Sequence, residues 1–266
     1  MKISFIGGGN MGEAMLSAVL AKGLSSQKEV TVSDLSQTRL EHLEREYGVT
    51  VTSDNRQAVG RGDVVVLAIK PQNLDEVAAE ISGEFKSPQL VVSIIAGARI
   101  DTLCQKLGYR QVVRVMPNTP AQVGEGMSVW TATPEVTGEQ RQWAGSILGA
   151  MGRELYVTDE KYIDMATAVS GSGPAYVFLL AEALADAAVK IGLSYDAARE
   201  LVEQTVLGAA RFMQRSDKLP AELRHRVTSP GGTTAAALAR LEKGRFTELI
   251  KEAVTAAYHR ARELGS

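Results

Sequence analysis

The stretch Gly7-Gly8-Gly9-Asn10-Met11-Gly12, which directly follows the apolar run Ile3 to Ile6, decides the fold of this chain. Glycines at this spacing, placed after a strand and at the start of a helix, are typical of a dinucleotide-binding turn. Gly7 permits the tight turn, Gly9 lets a pyrophosphate approach the backbone, and Gly12 lets the helix pack closely on the strand. The helix N-terminus favours the anion. The sequence therefore predicts that this turn binds a dinucleotide.

Segment 1–160 alternates short β-branched runs with helical patterns. Such runs as Val-Val-Val-Leu-Ala-Ile are apolar on both faces, as a parallel strand that is covered on both sides requires. We therefore predict an α/β fold, with a parallel sheet and helices on both of its faces. The predicted strands are Lys2 to Ile6, Glu29 to Val32, Asp63 to Ile69, Leu90 to Ile95, Gln111 to Met116 and Met127 to Thr131, and helical candidates include Met11 to Lys22 and Gln37 to Tyr47.

Segment 161–266 carries no strand pattern and is rich in Ala, Leu and charged residues at helical spacing. Its helix at Pro174 to Ile191 is apolar nearly all round, more than one small helical layer covers by itself. We therefore expect a second copy to cover it in a homodimer or larger homo-oligomer; a monomer with a loosely covered helix is the alternative. The predicted helices are Tyr162 to Val169, Pro174 to Ile191, Tyr195 to Arg215, Thr233 to Lys243 and Phe246 to Leu264.

One acidic residue, Asp34, follows the second predicted strand in the run Val-Ser-Asp-Leu-Ser. A carboxylate at this point accepts hydrogen bonds from the adenosine ribose, whereas a hydroxyl or a cation suits a 2′-phosphate. Alternatively, Asp34 only caps the following helix. Arg39, one turn into that helix, either receives a 2′-phosphate or is a solvated surface arginine, and we favour the solvated arginine.

Two later segments combine small residues with a predicted helix start. Ser170-Gly171-Ser172-Gly173-Pro174-Ala175-Tyr176 places proline in the first turn, and Ser229-Pro230-Gly231-Gly232-Thr233-Thr234 precedes the next helix. Uncovered backbone amides and the helix dipole favour a carboxylate at such a start. Each segment alone is an ordinary cap, but two of them beside a dinucleotide domain predict an anionic substrate near the cofactor.

Composition excludes several other classes of protein. One cysteine, Cys104, allows no internal disulfide, and three scattered histidines show no metal-ligand spacing, so we predict no metal site. Lys and Arg number 29 against 31 Asp and Glu, without a basic stripe, so no nucleic-acid partner is expected. Charges interrupt the helix at Pro174 to Ile191, and the N-terminus shows no export signal, so we expect no membrane span and a cytoplasmic location.

Six motifs in this order, from one end of the chain to the other, resemble those of the pyrroline-5-carboxylate reductase family. They are FIGGGNMG, AIKP at Ala68 to Pro71, SIIAG at Ser93 to Gly97, RVMPNTPA at Arg114 to Ala121, SGSGPAYVF and SPGGTT. The resemblance implies a Rossmann-like dinucleotide-binding domain at 1–160 and a helical dimerisation and substrate domain at 161–266. It also implies reduction of 1-pyrroline-5-carboxylate to L-proline by NADP(H) or NAD(H).

The resemblance also assigns roles to individual residues. Ser172 and Thr234 are the candidate catalytic residues, and the amides of the SPGGTT turn are expected to hold the substrate carboxylate. Asp34 stands where the family carries a small hydroxyl residue, which argues against a strong preference for NADPH. The implied cofactor-binding residues are Gly7, Gly8, Gly9, Asn10, Met11, Gly12, Ser33, Asp34, Asn55, Ala68, Ile69, Lys70 and Ala96. The implied substrate-binding residues are Glu160, Thr167, Ser172, Gly173, Gly231, Gly232, Thr233 and Thr234.

Two other functions remain as alternatives. A β-hydroxyacid dehydrogenase also opens with a GxGxMG-like turn and ends in a helical domain, but it needs a lysine near its substrate glycines, where this chain has Ser172 and Thr234. A non-catalytic nicotinamide-binding protein would keep the fold without turnover. The intact SPGGTT segment argues against that, because such a protein has no need of a second anion site.

Overall fold

The structure, a computed structural model, describes residues 1–265. Eight strands of this part of the chain form one sheet. Its spatial order is β3-β2-β1-β4-β5-β6-β7-β8, so the chain moves outward on one side of β1 and then on the other. The strands are β1 (Ile3–Ile6), β2 (Val30–Ser33), β3 (Thr50–Thr52), β4 (Val64–Leu67), β5 (Leu90–Ser93), β6 (Val112–Met116), β7 (Gly126–Ala132) and β8 (Gly152–Tyr156).

The prediction of a parallel sheet is confirmed for most of these pairs, but it is wrong for β6 and β7, which are antiparallel. Only a short 3-10 helix, Thr119–Val123, joins these two strands. A parallel crossover needs a dozen or more residues, usually with a helix, so this connection turns the chain back on itself. A full helix lies between β7 and β8, and that pair is parallel again.

Helices follow most strands, as the alternating pattern predicts. The predicted helix at Gln37 to Tyr47 and the last three predicted helices have the predicted bounds. The helices are α1 (Asn10–Ala21), α2 (Gln37–Tyr47), α3 (Asn55–Val59), α4 (Leu74–Ile81), α5 (Ile100–Leu107), α6 (Gly138–Ala150), α7 (Lys161–Ala166), α8 (Gly173–Lys190), α9 (Tyr195–Arg215), α10 (Pro220–Arg226), α11 (Thr233–Lys243) and α12 (Phe246–Leu264).

Alternate residues of the central strands enter two separate hydrophobic cores, one on each face of the sheet. Phe5 and Val66 belong to one core, whereas Ile6 and Val65 belong to the other, and all four are essentially inaccessible to water. Burial on both faces explains why these strands read as continuous apolar runs. Parallel pairing of β1 with β2 and with β4 places the carboxyl ends of these three strands side by side at one edge.

Both strands that the sequence missed, β3 and β8, lie at the two edges of the sheet. β3 has only three half-buried residues, and most of β8 is exposed. An edge strand has a neighbour on one side only and needs no apolar run on both faces, so periodicity gives little signal there.

The described chain divides into two compact units. The first contains Met1–Ser172 together with the chain from Ala257 onward, and it includes the whole sheet. The second, Gly173–Ala256, is helical and leaves much apolar surface exposed, including Phe178, Leu179 and Ile191 at 65%, 66% and 83%. By length and composition, the stretch Lys161–Lys190 meets the criterion for a membrane span, a test that helices of soluble proteins also pass.

Candidate functional site

The predicted cofactor residues cluster at the carboxyl edge of the sheet. Ile6 at the end of β1 pairs with Ser33 of β2 on one side and with Leu67 of β4 on the other. The residues that follow these strands, Gly7, Asp34 and Ala68, therefore leave the sheet next to one another. β1 lies where the strand order reverses, and ligands of open α/β sheets bind at such a point.

The glycine-rich turn has the geometry that its sequence predicts. Gly7 has a positive φ of 99°, and a Cβ there would lie 2.6 Å from the Ala68 carbonyl oxygen. A Cβ on Gly12 would lie 2.6 Å from the Gly7 oxygen, so α1 packs as closely as its backbone allows. A Cβ on Gly9, by contrast, would meet nothing within 4 Å. Gly9 is also the N-cap of α1 and makes no side-chain cap, which leaves space and amides for a phosphate.

Asp34 binds the glycine-rich turn directly. One of its carboxylate oxygens accepts a hydrogen bond of 2.8 Å from the Gly8 N–H, and the other accepts one of 2.9 Å from the Ser36 N–H. Ser36, not Asp34, is the N-cap of α2, because its hydroxyl accepts the Arg39 N–H. The interpretation of Asp34 as the cap of that helix is therefore wrong.

Arg39 is not a solvated surface arginine, so that expectation is also wrong. Its Nε donates to the Gly8 carbonyl, its Nη2 pairs with the carboxylate of Glu13, and its side chain is 24% exposed. Glu13 lies in the first turns of α1 and also binds His42 Nε2 and the Tyr47 hydroxyl, each at 3.0 Å. Three donors from α2 thus meet one carboxylate on α1.

Glu13 is held in its charged form by these donors. Burial by itself raises the pKa of this carboxyl group, but the hydrogen bonds from His42, Arg39 and Tyr47 outweigh it and leave the pKa below its usual value. Burial, together with the bond to Glu13, raises the pKa of Tyr47. This cluster is not predictable from the sequence, because Glu13 lies far from its three partners in the chain and the four residues match no motif.

A second polar chain supports the end of β2. The Ser33 side chain is fully buried and donates a 2.6 Å hydrogen bond to Asn55 Oδ1, while Asn55 Nδ2 donates to Glu80 at 2.7 Å. Asn55 is the first residue of α3 and is itself nearly buried. Ser33 therefore orients Asn55, and Glu80 on α4 holds it from the other side.

A cavity opens between the glycine-rich turn and α4. Its lining combines the apolar side chains of Leu35, Ile69 and Val77 with carboxylates and side-chain amides. This combination suits the adenosine half of a dinucleotide, with a base between apolar side chains and a ribose at Asp34. The residues that line the cavity are Gly7, Ser33, Asp34, Leu35, Asn55, Ile69, Asn73, Glu76, Val77 and Glu80.

The remaining predicted cofactor residues lie after β4 and β5. Ala68 donates its N–H to the Ile6 carbonyl at 2.8 Å, and Lys70, two residues on, is exposed. Ala96 is exposed in the loop that follows β5, and Gly97 beside it has a φ of 76°. Since β5 is the neighbour of β4, these segments emerge on the edge that carries Gly7 and Asp34.

Glu160 belongs to an ion network around the buried Arg114. Its Oε1 accepts hydrogen bonds from Arg114 Nη1 at 2.6 Å and from the Ile100 N–H at 2.7 Å. Arg114, whose side chain is 4% exposed, also binds Asp164 at 3.0 Å. The motif RVMPNTPA contains Arg114 but gives it no role. Its position in the middle of an apolar strand is nevertheless a sequence signal for such a network.

The segment around Ser172 opens α8, with Pro174 in the first turn as its sequence predicts. Thr167–Gly171 form a π-helical turn directly after α7, and the Ser172 N–H donates to the Thr167 carbonyl at 2.8 Å. α8 begins at the next residue, so a π-helical turn and not a loop precedes this helix in the chain. A Cβ on Gly171 would lie 2.8 Å from the Met116 methyl, which explains the small residue. π-turns of this kind are frequent at functional sites.

The SPGGTT segment, in the second unit, does open a helix. Gly231 has a φ of 71°, and Gly232 is the N-cap of α11 without a side-chain cap. Thr233 and Thr234 form the first turn, where the backbone N–H groups have no partner within the helix. Of the predicted substrate residues, Gly173, Gly231, Gly232, Thr233 and Thr234 belong to this unit, whereas Glu160, Thr167 and Ser172 belong to the first.

Two family models match the chain. Residues 160–264 match the model described as pyrroline-5-carboxylate reductase dimerisation. Residues 2–97, which contain the glycine-rich turn, match the model described as NADP oxidoreductase coenzyme F420-dependent.

Three full-length proteins illustrate what the chain is similar to. A pyrroline-5-carboxylate reductase of Synechocystis is 42% identical over 100% of this chain and 98% of its own length. The structure of a pyrroline-5-carboxylate reductase from Coxiella burnetii is 41% identical, with a TM-score of 0.92 and coverage of 100% and 98%. That of the Plasmodium falciparum enzyme with NADP bound is 32% identical, with a TM-score of 0.90 and the same coverage.

Proposed function

The chain belongs to the pyrroline-5-carboxylate reductase family, and on this premise we propose that it reduces 1-pyrroline-5-carboxylate to L-proline with NAD(P)H, the last step of proline biosynthesis. The observation that carries this proposal is the carboxyl edge of the sheet, where Gly7, Asp34 and Ala68 leave three adjacent strands. The same edge has the space at Gly9 that a pyrophosphate requires.

The cofactor site follows from this edge. The glycine-rich turn, Gly7 to Gly12, binds the pyrophosphate through the amides at the start of α1, and Asp34 accepts the hydroxyls of the adenosine ribose. Asn55, held by Ser33 and Glu80, lines the same cavity. Ala68, Ile69, Lys70 and Ala96 extend the site along the ends of β4 and β5.

The substrate site uses backbone amides and hydroxyls. Gly231, Gly232, Thr233 and Thr234 hold the substrate carboxylate at the start of α11, where the helix dipole and the free N–H groups attract an anion. Ser172 and Thr234 are the catalytic residues in this proposal, and their hydroxyls hydrogen-bond the substrate. Glu160, Thr167 and Gly173 complete the set that we assign to substrate binding.

The chemistry asks little of the protein's side chains. When bound, NAD(P)H supplies a hydride to the carbon of the C=N bond, and the imine nitrogen carries the proton that makes this carbon electrophilic. The chain binds and orients the substrate, and its backbone N–H groups stabilise the carboxylate by donating hydrogen bonds to it. The imine is thereby reduced to the secondary amine of proline, and the cofactor leaves oxidised.

Cofactor binding and substrate binding are assigned to the two domains that the sequence predicts. We propose that 1–160 is the dinucleotide-binding domain and that 161–266 is the helical dimerisation and substrate domain. The dimerisation model that matches residues 160–264 and the apolar surface of α8 support a homodimer or a larger homo-oligomer. We also propose that the protein works as a soluble enzyme in the cytoplasm.

One assay tests the proposed function against both alternatives. Oxidation of NADH and of NADPH is followed by the loss of the absorbance of the reduced nicotinamide, with pyrroline-5-carboxylate, with its six-membered analogue and with a 3-oxoacid as substrates. Turnover with pyrroline-5-carboxylate and none with the oxoacid is the expected result. Turnover with the oxoacid alone identifies a β-hydroxyacid dehydrogenase, and cofactor binding without turnover identifies a non-catalytic protein.

A further inference from the structure

Two charged side chains bind the backbone of Gly8, one at its N–H and the other at its carbonyl. Asp34 accepts from the Gly8 N–H at 2.8 Å, and Arg39 Nε donates to the Gly8 carbonyl. These residue types distinguish the two nicotinamide dinucleotides, because a carboxylate after β2 binds the ribose hydroxyls and a nearby arginine accommodates a 2′-phosphate. This chain carries both, so the preference depends on which of them is available to the ribose.

Glu13 engages the Arg39 guanidinium. Its carboxylate pairs with Arg39 Nη2, and it is kept in place by His42 and Tyr47, each at 3.0 Å. The guanidinium therefore has Nε committed to Gly8 and Nη2 committed to Glu13. A phosphate is bound best by two parallel N–H groups of one guanidinium, so a 2′-phosphate has to compete with partners that Arg39 already has.

We propose that Glu13 is a specificity-determining residue, which favours NAD(H) over NADP(H) by engaging Arg39 at the glycine-rich turn. The proposal rests on the proposed function in one respect, that this turn binds NAD(P)H. Asp34 is then not the sole determinant of the preference between NAD(H) and NADP(H). Part of it is assigned to Glu13 on α1, which faces α2 and does not line the adenosine cavity.

The charges around the cavity also favour NAD(H) over NADP(H). Asp34, Glu76 and Glu80 line it, and Arg39 does not. If Arg39 left Glu13 to meet a phosphate, Glu13 would lose a cation while its side chain stays only 22% exposed. Separating a partly buried ion pair in this way is unfavourable, because the remaining charge is poorly solvated. Removing the charge of Glu13 removes this cost and frees the guanidinium.

The competing explanation is that the Glu13–Arg39 pair only ties α1 to α2. Loss of such a tie would loosen the glycine-rich turn and weaken both dinucleotides equally. The two explanations therefore differ in the ratio of the two affinities, and not in the affinity for either one.

The experiment measures the Kd of NAD⁺ and of NADP⁺ by isothermal titration calorimetry for wild type and for Glu13→Gln. The expected result is that the ratio of Kd for NADP⁺ to Kd for NAD⁺ falls by about fivefold or more in Glu13→Gln, equivalent to ~1 kcal/mol. Adding Arg39→Ala to Glu13→Gln should return the ratio to the wild-type value. Glu44→Gln is the matched control, since it removes the same charge from the exposed side of α2 and should leave the ratio unchanged.

Arg39→Ala alone is a second, independent test of the proposal, which remains possible if Glu13→Gln does not fold. While Arg39 is bound to Glu13, it contributes nothing to NADP⁺ selectivity. Arg39→Ala should therefore keep the wild-type ratio of the two Kd values. A selective loss of NADP⁺ affinity in Arg39→Ala overturns the proposal, as does an equal change of both affinities in a folded Glu13→Gln. If wild type binds neither dinucleotide, the proposed function itself fails; normal binding with an unchanged ratio in Glu13→Gln overturns this inference alone.

Discussion

The Asp34 carboxylate accepts a 2.8 Å hydrogen bond from the Gly8 N–H, which joins the end of β2 to the glycine-rich turn after β1. The residue is therefore part of the turn's architecture as well as a candidate partner of the ribose. Its second oxygen accepts from the Ser36 N–H, so the carboxylate cannot turn away without breaking two bonds to backbone amides. A negative charge is thus fixed where an adenosine ribose is expected.

Asp34→Ser should shift the cofactor preference toward NADPH. At an effective dielectric near 20, a carboxylate about 5 Å from a 2′-phosphate faces a repulsion of roughly 3 kcal/mol per unit of phosphate charge. We expect the ratio of kcat/KM for NADPH to that for NADH to rise by about tenfold or more, which corresponds to ~1.4 kcal/mol. Steady-state kinetics with both cofactors measure this ratio.

The loss of the Gly8 hydrogen bond in Asp34→Ser can weaken both cofactors, so the ratio and not the absolute rate decides. Asp54→Ser is a matched control, because the Asp54 carboxylate likewise accepts a backbone N–H, that of Gln57, and Asp54 does not line the adenosine cavity. A wild type that strongly prefers NADPH, with a ratio that Asp34→Ser leaves unchanged, contradicts the prediction.

Gly232→Val should damage the substrate site and spare the cofactor site. A Cβ at Gly232 would lie 2.9 Å from Ser229 Oγ and 3.2 Å from the Ser229 carbonyl oxygen, and the branched side chain crowds the amides that open α11. We expect KM for pyrroline-5-carboxylate to rise by about tenfold or more, which corresponds to ~1.4 kcal/mol. Kinetics and NAD(P)H titration are measured side by side.

Gly138→Val serves as the control for this variant, because its Cβ meets nothing within 4 Å and the residue belongs to the exposed start of α6. Simultaneous loss of substrate and cofactor binding in Gly232→Val indicates misfolding and speaks against a local carboxylate site.

Thr234→Ala should be milder, because it removes a single hydroxyl and leaves the backbone amides of α11 in place. The lost hydrogen bond is worth on the order of 1 kcal/mol, so kcat/KM should fall by about fivefold. Thr255→Ala is the control, since its hydroxyl only donates to the Lys251 carbonyl on an exposed helix. Equal losses in the two variants contradict a role for Thr234 at the substrate.

The active unit should be at least a dimer. Phe178 and Leu179 of α8 are 65% and 66% exposed in the single chain, and burial of such side chains releases roughly 25 cal/mol per Å² of apolar surface. Light scattering at micromolar concentration should therefore give at least twice the mass of one chain. Leu179→Glu should shift the mass toward the monomer, because it places a charge in the apolar interface. A fully active monomeric wild type contradicts the prediction.

Glu13 should contribute to stability at neutral pH and lose that contribution in acid. Its pKa is lowered in the folded chain, so the folded state favours the carboxylate, and the contribution is present above the unfolded pKa. It is lost as the pH falls through the lowered folded value. Urea unfolding at pH 7 should show Glu13→Gln less stable by about 1.5 to 3 kcal/mol, the range for hydrogen bonds to a charged group. The difference should shrink toward pH 3; a pH-independent difference contradicts this assignment.

Local sequence patterns by themselves determined the class of the fold and the place of the cofactor edge. The glycines at 7, 9 and 12 act through φ, space and close packing within one turn, so residues adjacent in the chain suffice to predict them. The same holds for the central strands, because burial on both faces requires continuous apolar runs. It also holds for α11, because the SPGGTT motif predicts that this helix begins after Gly232.

The tertiary structure alone decided the features that depend on distant partners. β7 runs antiparallel because its connection to β6 is short, and the edge strands β3 and β8 have no two-sided burial to mark them. The direction of the Asp34 carboxylate and the capture of Arg39 by Glu13 join residues that are remote in the chain. Propensity acts over a few neighbouring residues, whereas the partner of a buried charge is chosen by the packing of whole helices, so only the folded chain reveals it.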